Sequence, residues 1–81
     1  MILTDVTIPS LGNTDNYEVD ERVQVGEIIE EILTLAAQRS QSAVPSAKDF
    51  LLSEPSTGRI FDPAVTLAEY GVENGARLLL L

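Results

Sequence analysis

Ile2, Thr4, Val6 and Ile8 alternate with Leu3, Asp5 and Thr7, the period-two pattern of a half-buried strand whose even positions face inward. Pro9 ends it, because proline cannot donate to a strand ladder. Ser10-Leu11-Gly12-Asn13-Thr14 reads as a loop of turn residues. Tyr17 and Val19 then alternate with Asn16, Glu18 and Asp20, giving a second strand and closing a hairpin with an acidic outer face. From Val25 to Arg39 the period lengthens: Val25, Ile28, Ile29, Ile32, Leu33 and Ala36 form one stripe, and Glu27, Glu30, Glu31, Thr34 and Gln38 lie away from it. This spacing predicts an amphipathic helix packed on a sheet. With Gln24 as N-cap, Val23 and Ile28 fall where a hydrophobic staple needs them. Glu27 falls where a capping carboxylate reaches back to the cap N–H, and Arg39 complements the negative C-terminal end.

Ser40 to Ala47 predicts a loop, anchored to the core by Val44-Pro45. Phe50-Leu51-Leu52 predicts a short strand, Ser53 to Gly58 a turn, and Arg59-Ile60-Phe61 its partner strand, before Asp62-Pro63 breaks regular structure. Asn74-Gly75 suits a tight reversal, and Gly71 and Gly75 lie where the backbone needs positive φ. The apolar run Leu78 to Leu81 is too short for a bilayer span of about 20 residues, and too short for a typical helix, and so reads as a terminal strand. Alternate side chains of a strand point to opposite faces, so four consecutive leucines cannot all enter a core on one side. The element order supports a single α+β domain over residues 1–81, with one helix on one face of a mixed sheet of four to five strands. Its expected core is Ile2, Val6, Ile8, Tyr17, Val19, Ile28, Ile29, Ile32, Phe50, Leu52 and Leu67, together with two of the four terminal leucines.

Composition narrows the function. A chain of 81 residues buries only about 60–65% of its unfolded surface, so the core is single and thin. There is no cysteine and no histidine, which removes disulfides, the thiol nucleophile, the usual neutral-pH base and the commonest zinc ligand. We therefore expect no enzyme, no catalytic residue, no cofactor and no metal. Asn13-x-Asp15-x-x-Glu18-x-Asp20 gathers oxygen ligands, yet it lacks the order and the bidentate glutamate of a calcium loop. Glu27 with Glu31, on the outer face of a helix, has nothing to separate the two acidities for acid–base work.

Net charge sets the expected partner. At a formal −8, with Arg22, Arg39, Lys48, Arg59 and Arg77 scattered, the chain is not built for nucleic acid or for an anionic membrane surface. MILTDVTIPS has no basic region and meets Asp5 before any long apolar run, so it does not read as a secretory signal, and the expected location is the cytoplasm. What remains is a protein partner. Between Asp15 and Glu31 seven carboxylates face Arg22 alone, and the exposed Glu27, Glu30 and Glu31 form an acidic face. That face serves either solubility or the steering of a basic partner.

The last third of the chain carries a resemblance. Phe61-Asp62-Pro63-x-x-Thr66-Leu67-Ala68-Glu69-x-Gly71-Val72-x-x-Gly75, followed by an apolar strand, is similar to the ubiquitin-like components of bacterial type VII secretion systems. Val19 to Ala37 resembles them less closely. The resemblance implies a β-grasp, with the first and last strands adjacent and parallel at the centre of the sheet. By the family's pattern Leu78 and Leu80 point inward and complete the expected core, which puts Leu79 and Leu81 on the sheet face away from the helix. Leu3 and Leu51 project to the same face, and the four are expected to form an exposed protein-binding patch. The patch would be covered by secretion-system membrane components or by a second copy of the chain. Conjugation and sulfur transfer need a protruding Gly-Gly end, whereas this sequence stops at Leu81. The expected function is thus a non-conjugated binding module, an accessory or regulatory part of such a secretion system. A sulfur carrier or protein modifier with a missing tail is the alternative.

Overall fold

A computed structural model describes residues 1–81 as one five-stranded sheet with one helix across it. Strands β1 (Ile2–Ile8) and β2 (Asn13–Val19) form the first hairpin, followed by helix α1 (Val25–Ser40). Then come β3 (Leu52–Glu54), β4 (Arg59–Ile60) and β5 (Ala76–Leu80). The sheet order is β2-β1-β5-β3-β4; β1 and β5 run parallel at its centre, and every other pair is antiparallel. This is an α+β β-grasp, as the resemblance implies.

The hairpin reverses more tightly than the sequence suggests. Pro9–Leu11 forms a 3-10 turn, and Gly12, at φ 62°, donates its N–H to the Pro9 carbonyl. Only a residue without Cβ takes that left-handed conformation freely. The chain is back in register at once, so Asn13 and Thr14 belong to β2, opposite Ile8 and Thr7, and not to a loop.

Helix α1 begins without a side-chain cap. Gln24 makes no capping hydrogen bond and instead bridges to Thr66. The first free N–H groups of the helix are satisfied by another segment: Val25 donates to the Val65 carbonyl and Gly26 to the Pro63 carbonyl, each at 2.9 Å. The expected role of Gln24 and Glu27 as a capping pair is therefore replaced by backbone contacts. Those contacts also hold the helix N-terminus against the loop after β4.

The core lies between α1 and one sheet face. Twelve of the thirteen expected core residues are buried; Phe50 is only half-buried and packs against the rim. A 3-10 turn at Ala47–Asp49 occupies the approach to β3, so Phe50 enters the sheet from its margin. Val44 points outward, and its expected anchoring role is not seen. Phe61 and Val72 join the core from the irregular segment between β4 and β5. Thr4, the one buried polar residue, donates its hydroxyl to the Tyr17 carbonyl at 2.9 Å. Asn74 and Gly75 stitch β5 to β1: Asn74 Oδ1 accepts the Leu3 N–H and the Gly75 N–H donates to Leu3 O, both at 2.7 Å.

Arg59 fastens the β3–β4 turn. Its Nη2 meets Glu54 Oε1 at 2.7 Å and its Nη1 donates to the Tyr70 carbonyl at 2.8 Å. The bond from Arg59 holds the Glu54 carboxyl below its ordinary value of 4.5, against the opposing effect of burial and with help from Thr57. The unfolded chain then binds the proton more readily. The stability this pair supplies is complete above pH 4.5 and lost as pH falls through the lower folded value. Urea midpoints should fall on acidification below about pH 4.5, and Glu54→Gln should be less stable at pH 7 with a shallower acid slope. An unchanged acid slope in the variant would remove Glu54 from this role.

Candidate functional site

The sheet face away from α1 is set by the strand registers. Thr7, Leu79, Ser53 and Ile60 stand side by side across β1, β5, β3 and β4. In the next row Leu81 and Leu51 exchange both backbone hydrogen bonds, at 2.7 and 2.8 Å, so the ladder runs one residue beyond β3 and β5 and sets these side chains opposite each other. Leu51, Leu81 and Ile60 are 49%, 55% and 63% exposed, and Leu79 is half-buried among them. Four apolar side chains thus share one surface cluster around Ser53.

Leu3 is not in it. In the parallel register Asp5 pairs with Arg77 and Thr7 with Leu79, which leaves Leu3 opposite Gly75. Four residues of strand, about 13 Å, separate the level of Leu3 from that of Leu79. Asp5 and Arg77 lie between. Leu3, 44% exposed, stands beside Glu18 at the other end of the sheet. The expected four-leucine patch is therefore a three-leucine patch completed by Ile60. Alternation in Arg59-Ile60-Phe61 held the signal for it: with Phe61 inward, Ile60 must point outward.

The acidic stretch divides into paired and unpaired carboxylates. Asp15 binds Arg39, whose guanidinium also lies 4.8 Å from the Tyr17 ring centre. Asp20 binds Arg22, and Glu21 lies 2.9 Å from the Met1 ammonium. Hydrogen bonds from the Arg22 backbone and side chain hold the Asp20 carboxyl low, and the bond from the ammonium does the same for Glu21. Burial pushes the Tyr17 phenol up, opposed by Arg39. Asp15 shares the inward parity of Tyr17 while Glu18 faces the other side of β2, so the oxygen-rich hairpin residues diverge. Glu27, Glu30 and Glu31 are exposed on α1 without an ion-pair partner. They lie on the helix side of the sheet, and Leu79 and Ile60 lie on the other. No helix is long and apolar enough to cross a membrane.

The family model described as "WXG100 protein secretion system (Wss), protein YukD" matches residues 3–80. The chain belongs to the YukD family. The match extends over nearly the whole sequence, well beyond the stretches that carry the visible resemblance. Among solved structures, this YukD-family chain is similar to a computationally designed protein based on the template of human erythrocytic ubiquitin. The identity is 33% and the TM-score 0.74, over 100% of this chain and 90% of that one. It also superposes on the ubiquitin-like domain of an Arabidopsis thaliana protein with a TM-score of 0.76 at 21% identity, over 99% and 74% of the two chains, a likeness of fold alone. No curated protein matches it. A fold shared this widely does not select a function, so the function must be argued from the surface.

Proposed function

We propose that this YukD-family protein is a non-conjugated ubiquitin-like binding module. In this reading it is an accessory or regulatory cytoplasmic component of the WXG100 secretion system, docking protein partners on the outer sheet face. The observation that carries the reading is the cluster of Leu51, Leu79, Leu81 and Ile60, three of them about half or more exposed on a face that nothing in the chain covers. A contiguous apolar patch usually marks an interface, whereas isolated exposed leucines do not. Family membership supports the secretion setting. Arg77 and Asp5 at the margin add charge that orients a partner without supplying most of the affinity.

Burying a leucine contributes about 1.5–3 kcal/mol, while an exposed charge pair contributes about 0–1 kcal/mol and is screened by salt. Leu79→Ser and Leu81→Ser, made singly, should each weaken capture of the secretion membrane components about ten- to hundredfold, with the fold intact by circular dichroism. Leu3→Ser should change it little. Light scattering on the same variants reads self-association through the same face. Undiminished capture by the leucine variants, with loss on charge reversal at Glu27, Glu30 and Glu31, would move the binding surface to the helix.

A further inference from the structure

The acidic helix face and the apolar sheet face meet at one place. Between the first two turns of α1 and the segment entering β3 lies a groove of about 490 Å³. Its apolar lining is Ile29, which is buried, with Ala47, Phe50, Ala64 and Leu51, and Leu51 also belongs to the cluster on the outer sheet face. The helix wall carries Glu27 and Glu30, and the opposite wall carries Lys48. None of these three has an ion-pair partner in the chain. The helix wall is fixed to the loop after β4. Gly26 donates to the Pro63 carbonyl at 2.9 Å, and a Cβ at Gly26 would stand 3.3 Å from that oxygen, so helix and loop are in direct backbone contact where both line the groove.

An apolar trough with two unpaired carboxylates on one wall and one unpaired ammonium on the other has a defined complement. We infer that this groove is a second docking site, which takes an amphipathic protein segment whose apolar stripe is flanked by Lys or Arg on the side facing α1. Apolar burial in the trough supplies the attraction, and the charged walls choose the sequence and its direction. A segment flanked by carboxylates is rejected, because it would set like charges against Glu27 and Glu30. The site does not depend on the outer-face reading. It uses a different surface, and Leu51 alone belongs to both.

The probe is a synthetic amphipathic peptide with a leucine stripe and lysine flanks, compared with the same peptide carrying glutamate flanks, in low salt. Backbone amide shifts of the labelled protein report where each one sits. The lysine peptide should shift the amides of Gly26, Ala47 and Ala64, and should bind about tenfold tighter than the glutamate peptide. Glu27→Gln with Glu30→Gln should erase most of that difference. Ala64→Trp, an exposed position where the larger ring fills the groove, should abolish the shifts in a protein that keeps its spectral dispersion, while Leu79→Ser should leave them unchanged. A cationic peptide would also adhere loosely to any protein of net charge −8, so the location of the shifts decides. Shifts spread over the surface, shifts centred on Leu79 and Ile60, equal binding of the two peptides, or no binding by either would each overturn the proposal.

Discussion

Ile32→Ala should cost about 2–5 kcal/mol and leave a large part of the population unfolded at room temperature. Ile32 lies mid-way along α1 with no exposed surface, at the centre of the stripe that seats the helix on the sheet. Removing its branched side chain loses the transfer energy of the buried carbons and leaves a hole the neighbours fill only partly. A chain of this length has about 4–12 kcal/mol of stability, with no cysteine to supply a disulfide, so the loss is a large share of the total. Urea denaturation should show a lower midpoint at nearly constant slope. Glu31→Ala, one residue away on the solvent side, should stay within about 0.5 kcal/mol of the parent. A loss of less than about 1 kcal/mol at Ile32 would mean that the helix is not seated through this residue.

Ile32 was legible in the sequence because periodicity is a long signal. Six stripe residues over more than three turns agree on one face, and the alternation of Ile2 to Ile8 is similarly redundant. Short features have no such redundancy. Asn13 and Thr14 look like loop residues, and they join β2 only because Gly12 completes the reversal early. Gln24 occupies a cap position, yet the N–H groups it would be expected to serve are met by Pro63 and Val65, nearly forty residues away, which no local pattern reports. The candidate surface was half legible for the same reason. Alternation divides the last four leucines between the two faces, and the family's pattern assigns Leu79 and Leu81 to the outer one. Neighbourhood follows from the register between strands, so Leu3 was grouped with them although Asp5 and Arg77 intervene. The groove was not visible in sequence, since its walls come from three separated segments.

Phe61→Ala should cost about 3–5 kcal/mol, at the upper end for this protein, although Phe61 stands in no periodic element. The residue is buried immediately after β4, its N–H donating to the Leu52 carbonyl at 2.9 Å. Its ring lies 4.7 Å from that of Tyr70, tilted by 46°, and the Arg59 guanidinium is 5.6 Å from one ring centre and 5.5 Å from the other. Arg59 also holds the Tyr70 carbonyl, and the Tyr70 hydroxyl accepts the Asp62 N–H at 2.9 Å. The Phe61 ring is thus the apolar body around which the β3–β4 turn and the segment leading to β5 are joined. Its removal opens a cavity and takes away the ring faces that Arg59 and Tyr70 lie against. Tyr70→Phe provides the contrast, because it keeps the aromatic contact and gives up only the hydroxyl bond, for about 0.5–1.5 kcal/mol. Phe61→Ala should also raise amide hydrogen exchange between Asp62 and Val72 more than in α1, since that segment has no ladder of its own. Equal costs for the two substitutions would place the stabilisation in the Tyr70 hydroxyl bond, and a Phe61→Ala loss under about 1 kcal/mol would mean that this junction is not a packed part of the core.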